Sequence, residues 1–265
     1  MTDIDTLIRE SDTVPTYPYT CPHQGKGPLE PVASSMPAAV ANAQQRALAA
    51  KLSLPHQGFV LSRSRLLRRV ERLHEGGVVS LVAGPGYGKT AFIVDLLSSS
   101  RARTIYYAAD EGDRDPVRFL DYILAGLGVA GADHPEAISR DWTLGASNND
   151  ADAVLELIGA VIEQASRQAP IPTILAIDDL HVVESSAAVM EALGLVVRSL
   201  PPGWTALLSS RRKLALGLDD VSMGGRIVRL HGRDLRLTPR EVAAWARQNW
   251  GVALQPSEAR VLWRV

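Results

Sequence analysis

Cysteine is all but missing from this sequence: Cys21 is the single one in 265 residues. With one thiol, neither an internal disulfide nor a cysteine-cluster zinc site can form within the chain, and such a composition suits a reducing cytosol. An excess of charge of either sign is missing too. Lys and Arg total 28 against 29 for Asp and Glu, a net charge of −1. That balance provides no global attraction to nucleic acid or to an anionic membrane surface. Long apolar runs are also lacking, none approaching the ~20 residues needed to cross a bilayer. The acidic opening MTDIDTLIRESD has no basic stretch followed by an apolar one, so it does not read as a secretory signal. A cytoplasmic protein without a membrane partner is the expectation. The remaining composition, 46% hydrophobic and 22% charged, is ordinary for a globular chain long enough for one large domain or two small ones.

Residues 1–55 differ in character from the rest of the chain. Pro15, Pro18, Pro22, Pro28, Pro31 and Pro37 interrupt any long element. The stretch AAVANAQQRALAAKLSL between Pro37 and Pro55 can form an alanine-rich helix but offers few large apolar residues to bury. The expectation is a proline-rich, mostly disordered extension over 1–55.

From residue 56 strand and helix alternate. VVSLVAG is a near-continuous apolar run, as a strand buried on both faces should be. TIYYAA, PTILAIDDLH and WTALLSSRR read as three further strands, and RIVRLH alternates polar and apolar residues as an edge strand does. Between them lie helical stripes: Leu66, Leu67, Val70 and Leu73; Phe92, Ile93, Leu96 and Leu97; Phe119, Leu120, Ile123 and Leu124; Val154, Leu155, Ile158, Val161 and Ile162. Asp115 before Pro116 reads as a helix cap followed by proline at the first helical position. Thr238, Pro239 and Glu241 form a capping box at the head of LTPREVAAWARQ. Residues 129–150 read as a loop. Repeated β-α units predict an α/β fold over residues 56–235, a parallel five-stranded sheet flanked by helices. Residues 236–265 read as the truncated start of a C-terminal helical or winged-helix region.

One loop carries chemistry. Ala83, Gly84, Pro85, Gly86, Tyr87, Gly88, Lys89 and Thr90 follow a strand and open a helix, in the pattern of a P-loop (Walker A). Gly86 and Gly88 permit the left-handed backbone with which main-chain N–H groups can surround phosphates. The helix from Gly88 onward turns its positive end toward the anion. Lys89 would reach the β- and γ-phosphates and the Thr90 hydroxyl a magnesium ion.

A second ligand is expected at the carboxyl end of the ILAIDD strand, where a parallel sheet presents its site residues. Asp178 would hold magnesium, and Asp179 would orient or deprotonate the attacking water. Asp179 is one methylene shorter than the glutamate of many fast ATPases, which predicts slow turnover. Arg211, directly after LLSS on the next strand, is placed to sense a γ-phosphate, with Arg212 read as solvated. His181 reads as a loop residue, and the tryptophans as core or interface rather than a stacking surface. Arg63 and Arg65 lie before the first helix, as structural residues or in contact with adenine. A strand and a helical unit intervene between the two motifs, which favours the additional-strand type of P-loop NTPase over simple kinases.

The stretches FVLSRSRLLRRV, AGPGYGKT, YYAADEGDRDPVRFLDYIL, LAIDDLH, SSRRKLAL and LHGRDLRLTPREVAAWA together resemble the ATPase domain of the large ATP-binding LuxR-type regulators. These form the MalT-like branch of the signal-transduction ATPases with numerous domains (STAND). The resemblance runs from about Phe59 onward and implies an ATP/ADP-dependent molecular switch, a magnesium cofactor and self-association in the ATP form. Members of that family continue into a winged-helix domain, a helical-repeat sensor and a DNA-binding helix-turn-helix. None of these is complete in this sequence, so no direct DNA contact is expected from it. The leading expectation is a nucleotide switch with weak ATPase activity. A degenerate interaction module that no longer cycles nucleotide is the alternative from another class, and a phosphoryl-transferring kinase is the third.

Overall fold

A computed structural model describes residues 49–56, 61–71, 73, 76–127, 150–167, 172–218 and 226–264. The expected disordered extension over 1–55 falls mostly outside the described residues, as does nearly all of the loop expected at 129–150.

Five strands form one parallel sheet: β1 (Gly77–Val82), β2 (Arg103–Ala108), β3 (Thr173–Asp178), β4 (Trp204–Ser210) and β5 (Ile227–His231), in the spatial order β2-β3-β4-β1-β5. β4 therefore lies between the phosphate-loop strand and the strand that ends in Asp178, as the additional-strand reading requires. β3 and β4 are buried along their whole length, while β5, at one edge, is mostly half-buried. The alternating sequence of RIVRLH fits that position.

Successive side chains of a strand face opposite sides of the sheet, and each side has its own helical cover. Ile105, Tyr107, Leu175, Ile177, Ala206 and Leu208 pack on one side. Their partners come from α3 (Pro116–Gly126), α4 (Asp150–Arg167) and α5 (Ala187–Arg198). Val79, Leu81, Tyr106, Ala176 and Leu207 pack on the other side. They meet α1 (Ser64–Val70) and α2 (Lys89–Ser99). The cap at Asp115 is as read from sequence, its carboxylate accepting from the N–H groups of Val117 and Arg118.

After the sheet a single helical turn at Gly232–Leu235 leads to α6 (Pro239–Trp250) and α7 (Pro256–Arg264). Thr238 and Glu241 close the capping box of α6 reciprocally, a device that contributes on the order of 1 kcal/mol. Arg65, inside α1, ties this region back to the sheet domain through Glu241 at 3.0 Å and the Asp234 carbonyl at 2.6 Å. Arg69 adds a bond to the Asp234 carboxylate at 2.8 Å.

One strong tie had no counterpart in the sequence pattern. Lys51 extends from helical residues 49–52 to the turn after β2. Its Nζ lies 2.6 Å from Asp113 Oδ1 and 2.8 Å from Asp110 Oδ2. It also sits 4.3 Å above the Tyr122 ring. Asp113 is fully buried, so its charge depends on these partners.

Asp121, on α3, is half-buried, a carboxyl of a different kind. Its Oδ1 has no hydrogen-bond partner among the described residues. Burial, and then the charge of Asp115, lifts its pKa from 3.8 to about 6. A carboxyl raised in the folded state favours folding while protonated. Its contribution is complete below the unfolded-state value and is lost as pH climbs through about 6. Asp121→Asn is therefore expected to raise the melting temperature by about 2–4 °C at pH 7.5 and to change it little at pH 4.5. Equal shifts at both pH values in a thermal melt would rule out the carboxylate as the cause.

Candidate functional site

All five parallel strands point their carboxyl ends to one edge, so the segments leaving β1, β3 and β4 converge there. After Val82 the chain turns through Gly86 and Gly88, with φ of 78° and 73°, values that suit glycine and strain other residues. Gly88 is the N-cap of α2, and the first N–H groups of that helix have no intrahelical acceptor. Lys89 opens α2 and is buried, its Nζ donating to the carbonyls of Ala83 at 2.9 Å and Gly84 at 3.0 Å. The ammonium thus lies across the mouth of the loop.

Thr90 and Asp178 meet at the centre, the Thr90 hydroxyl donating to Asp178 Oδ2 at 2.6 Å. They are 88 residues apart in sequence. Asp178 is buried, and its Oδ1 accepts from the N–H of Asp179 at 2.8 Å. Asp179 has φ of 57°, the one positive φ at a non-glycine position among the described residues. A left-handed backbone costs such a residue roughly 1–2 kcal/mol.

The titrating groups here sense one another. Burial, and then the Asp178 carboxylate, raises the pKa of Asp179, while His181, Lys89 and Arg211 draw it down. Burial, and then the Arg211 charge, lowers that of His181. Arg211 comes directly after β4, is exposed, and lies within electrostatic reach of both. Arg212, read from sequence as solvated, pairs with Glu184 at 2.8 Å.

Tyr106 is an addition that the motifs did not suggest. It is buried on β2, and burial, followed by the charges of Asp178 and Asp179, pushes its phenol well above the ordinary range. It therefore stands beside the carboxylates as a neutral hydroxyl. Nothing in TIYYAA distinguishes it from Tyr107, which faces the opposite side of the sheet.

A cleft of about 560 Å³ extends from the loop toward α6 and α7. Pro85, Tyr87, Leu235, Val242, Trp245 and Trp263 are among its lining. Arg63 closes its inner end. Its buried guanidinium donates to the Gly88 carbonyl at 2.6 Å and to the Leu235 carbonyl at 2.9 Å, joining the loop to the turn after β5. The tryptophans, read from sequence as core or interface residues, occupy different places, and Trp142 lies outside the described residues. Trp204 is buried in the core, but Trp245 and Trp263 face the cleft and Trp250 is 64% exposed. The apolar stripe of α6 and α7 meets a cleft rather than a closed core.

Among known proteins, the HTH-type transcriptional regulator MalT of Cronobacter sakazakii is 24% identical over 213 residues, 80% of this chain and 23% of that protein. MalT of Serratia proteamaculans is 26% identical over 182 residues, 68% of this chain and 19% of that protein. The chain thus spans less than a quarter of the length of these relatives. They support the MalT-like character read from the sequence, and a P-loop in such a domain implies nucleotide binding. A solved signal-transduction ATPase with numerous domains and a tetratricopeptide-repeat sensor, from Pyrococcus horikoshii, is 19% identical. It superimposes with a TM-score of 0.49 over 80% of this chain and 28% of that one. Among the described residues no helix is long and apolar enough to cross a membrane. Residues 46–203, which carry the phosphate loop and both aspartates, match the AAA domain family, and the chain belongs to that family.

Proposed function

We propose that this chain is an ATP/ADP-binding switch domain that hydrolyses ATP slowly with magnesium, acting in the cytoplasm as part of a MalT-like transcriptional regulator. The observation that carries the reading is the 2.6 Å contact between the Thr90 hydroxyl and the Asp178 carboxylate beside the Lys89 loop. Loop amides and Lys89 bind the phosphates, with Lys89 exchanging two carbonyl partners for phosphate oxygens. Thr90 and Asp178 offer the oxygen donors that magnesium prefers, an ion that keeps waters and phosphate oxygens as its other ligands. Bound there, magnesium would neutralise charge developing on the phosphates. Asp179 orients the attacking water and Arg211 meets the γ-phosphate. A charged contact of that kind is worth about 1.5–3 kcal/mol, enough to bias a two-state equilibrium between ATP and ADP forms. The cleft beside Tyr87, Trp245 and Trp263 would take the base. Self-association in the ATP form belongs to the same reading.

The alternative, an interaction module that no longer cycles nucleotide, draws on the exposed Trp250, Val261 and Leu262 of α6 and α7. Thermal denaturation separates the two. MgATP at about a thousand times its dissociation constant should add roughly 4 kcal/mol of stability, or about 8–16 °C, and free phosphate should accumulate slowly. An unchanged melting temperature would favour the interaction module. Label transferred to a small acceptor rather than released as phosphate would point to a kinase.

A further inference from the structure

His181 has no role in the motifs, yet it is placed where one is needed. It lies in the 3-10 turn Leu180–Val182 directly after Asp179. Its Nδ1 is buried and has no hydrogen-bond partner among the described residues. The nearest carboxylate oxygen is Asp179 Oδ1, at 3.5 Å. A buried ring nitrogen left without a partner is costly, and here it faces the side chain assigned to the water.

Three features hold the pair in place. The left-handed backbone of Asp179 turns the chain sharply at the end of β3, and strain of this kind persists only where the surroundings impose it. The Asp179 N–H is tied to Asp178 Oδ1 at 2.8 Å. Arg114, from the acidic turn after β2, donates to the Val182 carbonyl at 3.0 Å and anchors the far end of the His181 turn. The turn that carries His181 is therefore held at both ends, while Asp179 is half-exposed toward the site.

We propose that His181 is a positioning residue for Asp179, its Nδ1–H donating to Oδ1 and aiming the other carboxylate oxygen at the attacking water. The proposal rests on the hydrolytic reading of the site. A distance of 3.5 Å is long for a hydrogen bond, and contacts of this type tighten when substrate and water are bound. The role requires the Nδ1–H tautomer, the less common one for a free imidazole ring.

Two measurements test the proposal, one of them independent of turnover. In ¹⁵N-histidine NMR spectra of the full chain, His181 should carry its proton on Nδ1, and Asp179→Asn should move that resonance. A proton on Nε2, or a signal indifferent to Asp179→Asn, would overturn the pairing. In steady-state assays, His181→Ala should lower kcat by roughly 10- to 100-fold while KM and the MgADP-dependent thermal shift stay unchanged. His181→Asn, whose amide N–H can replace Nδ1–H, should recover most of the rate, and His181→Gln should not. Equal rates for Ala and Asn, or a kcat unaffected by Ala, would overturn the positioning role. A wild-type rate no higher than that of Lys89→Ala would instead overturn the hydrolytic reading, and the positioning role with it.

Discussion

A Lys89→Ala variant is expected to melt at the same temperature with and without MgATP, whereas the wild type gains several degrees. The geometry of the loop explains the size of the difference. The Lys89 ammonium is buried against two loop carbonyls, at 2.9 and 3.0 Å. Losing those two bonds costs the empty protein about 1–3 kcal/mol. In the liganded state the same ammonium would make charge-assisted bonds to phosphate, and no other cation of the loop can replace it. Losing two such contacts is worth roughly 3–6 kcal/mol, at least a hundredfold in dissociation constant. Calorimetric titration with MgATP gives the affinity, and melting of the empty variant gives the folding cost separately. A variant that binds as the wild type does would place the phosphates elsewhere.

The second large effect concerns folding. Lys51→Met should lower the melting temperature by roughly 6–12 °C, from a loss of about 3 kcal/mol. Asp113 is fully buried, and Lys51 is its closest cationic partner at 2.6 Å, with Arg118 farther off at 3.5 Å. The Asp110 N–H at 2.8 Å would remain, which keeps the loss at the lower end for a broken buried pair. Removing the stranded charge as well should recover much of the stability, so Lys51→Met combined with Asp113→Asn should melt higher than Lys51→Met alone. A double variant as unstable as the single one would mean that Lys51 acts through its packing on Tyr122 rather than through charge. A single variant that melts within 1 °C of the wild type would show that the pair carries no stability.

Much of the fold was legible because its signals are local. The apolar strands, the glycine loop before a helix, and the caps at Asp115 and Thr238 each occupy a few consecutive residues, and each sits where the pattern put it. The meeting of Thr90 with Asp178 was legible at one remove, since parallel strands bring their carboxyl ends to the same edge. What escaped is long-range and carries no periodicity. Lys51 lies in an alanine-rich stretch with little to bury, and its anchors are two carboxylates distant in sequence, Asp110 and, 62 residues away, Asp113. Arg63 reaches a carbonyl 172 residues on, and no spacing rule links the two. His181 lies 3.5 Å from Asp179 Oδ1 across a turn in which Asp179 adopts a left-handed backbone, and a pair of aspartates does not announce that turn. Apolar character marked the tryptophans of α6 and α7 as core or interface residues, whereas the cleft that Trp245 and Trp263 face is a matter of tertiary packing.

With the base in that cleft, as proposed, the protein would carry a built-in optical reporter. Trp245 and Trp263 flank the space next to the phosphate loop, with the Arg236 guanidinium 5.5 Å from the Trp263 ring, while Trp204 is sealed inside the core. A purine entering there would change the indole emission of Trp245 and Trp263, while the buried Trp204 lies out of its reach. Nucleotide occupancy could then be followed in real time without any added dye.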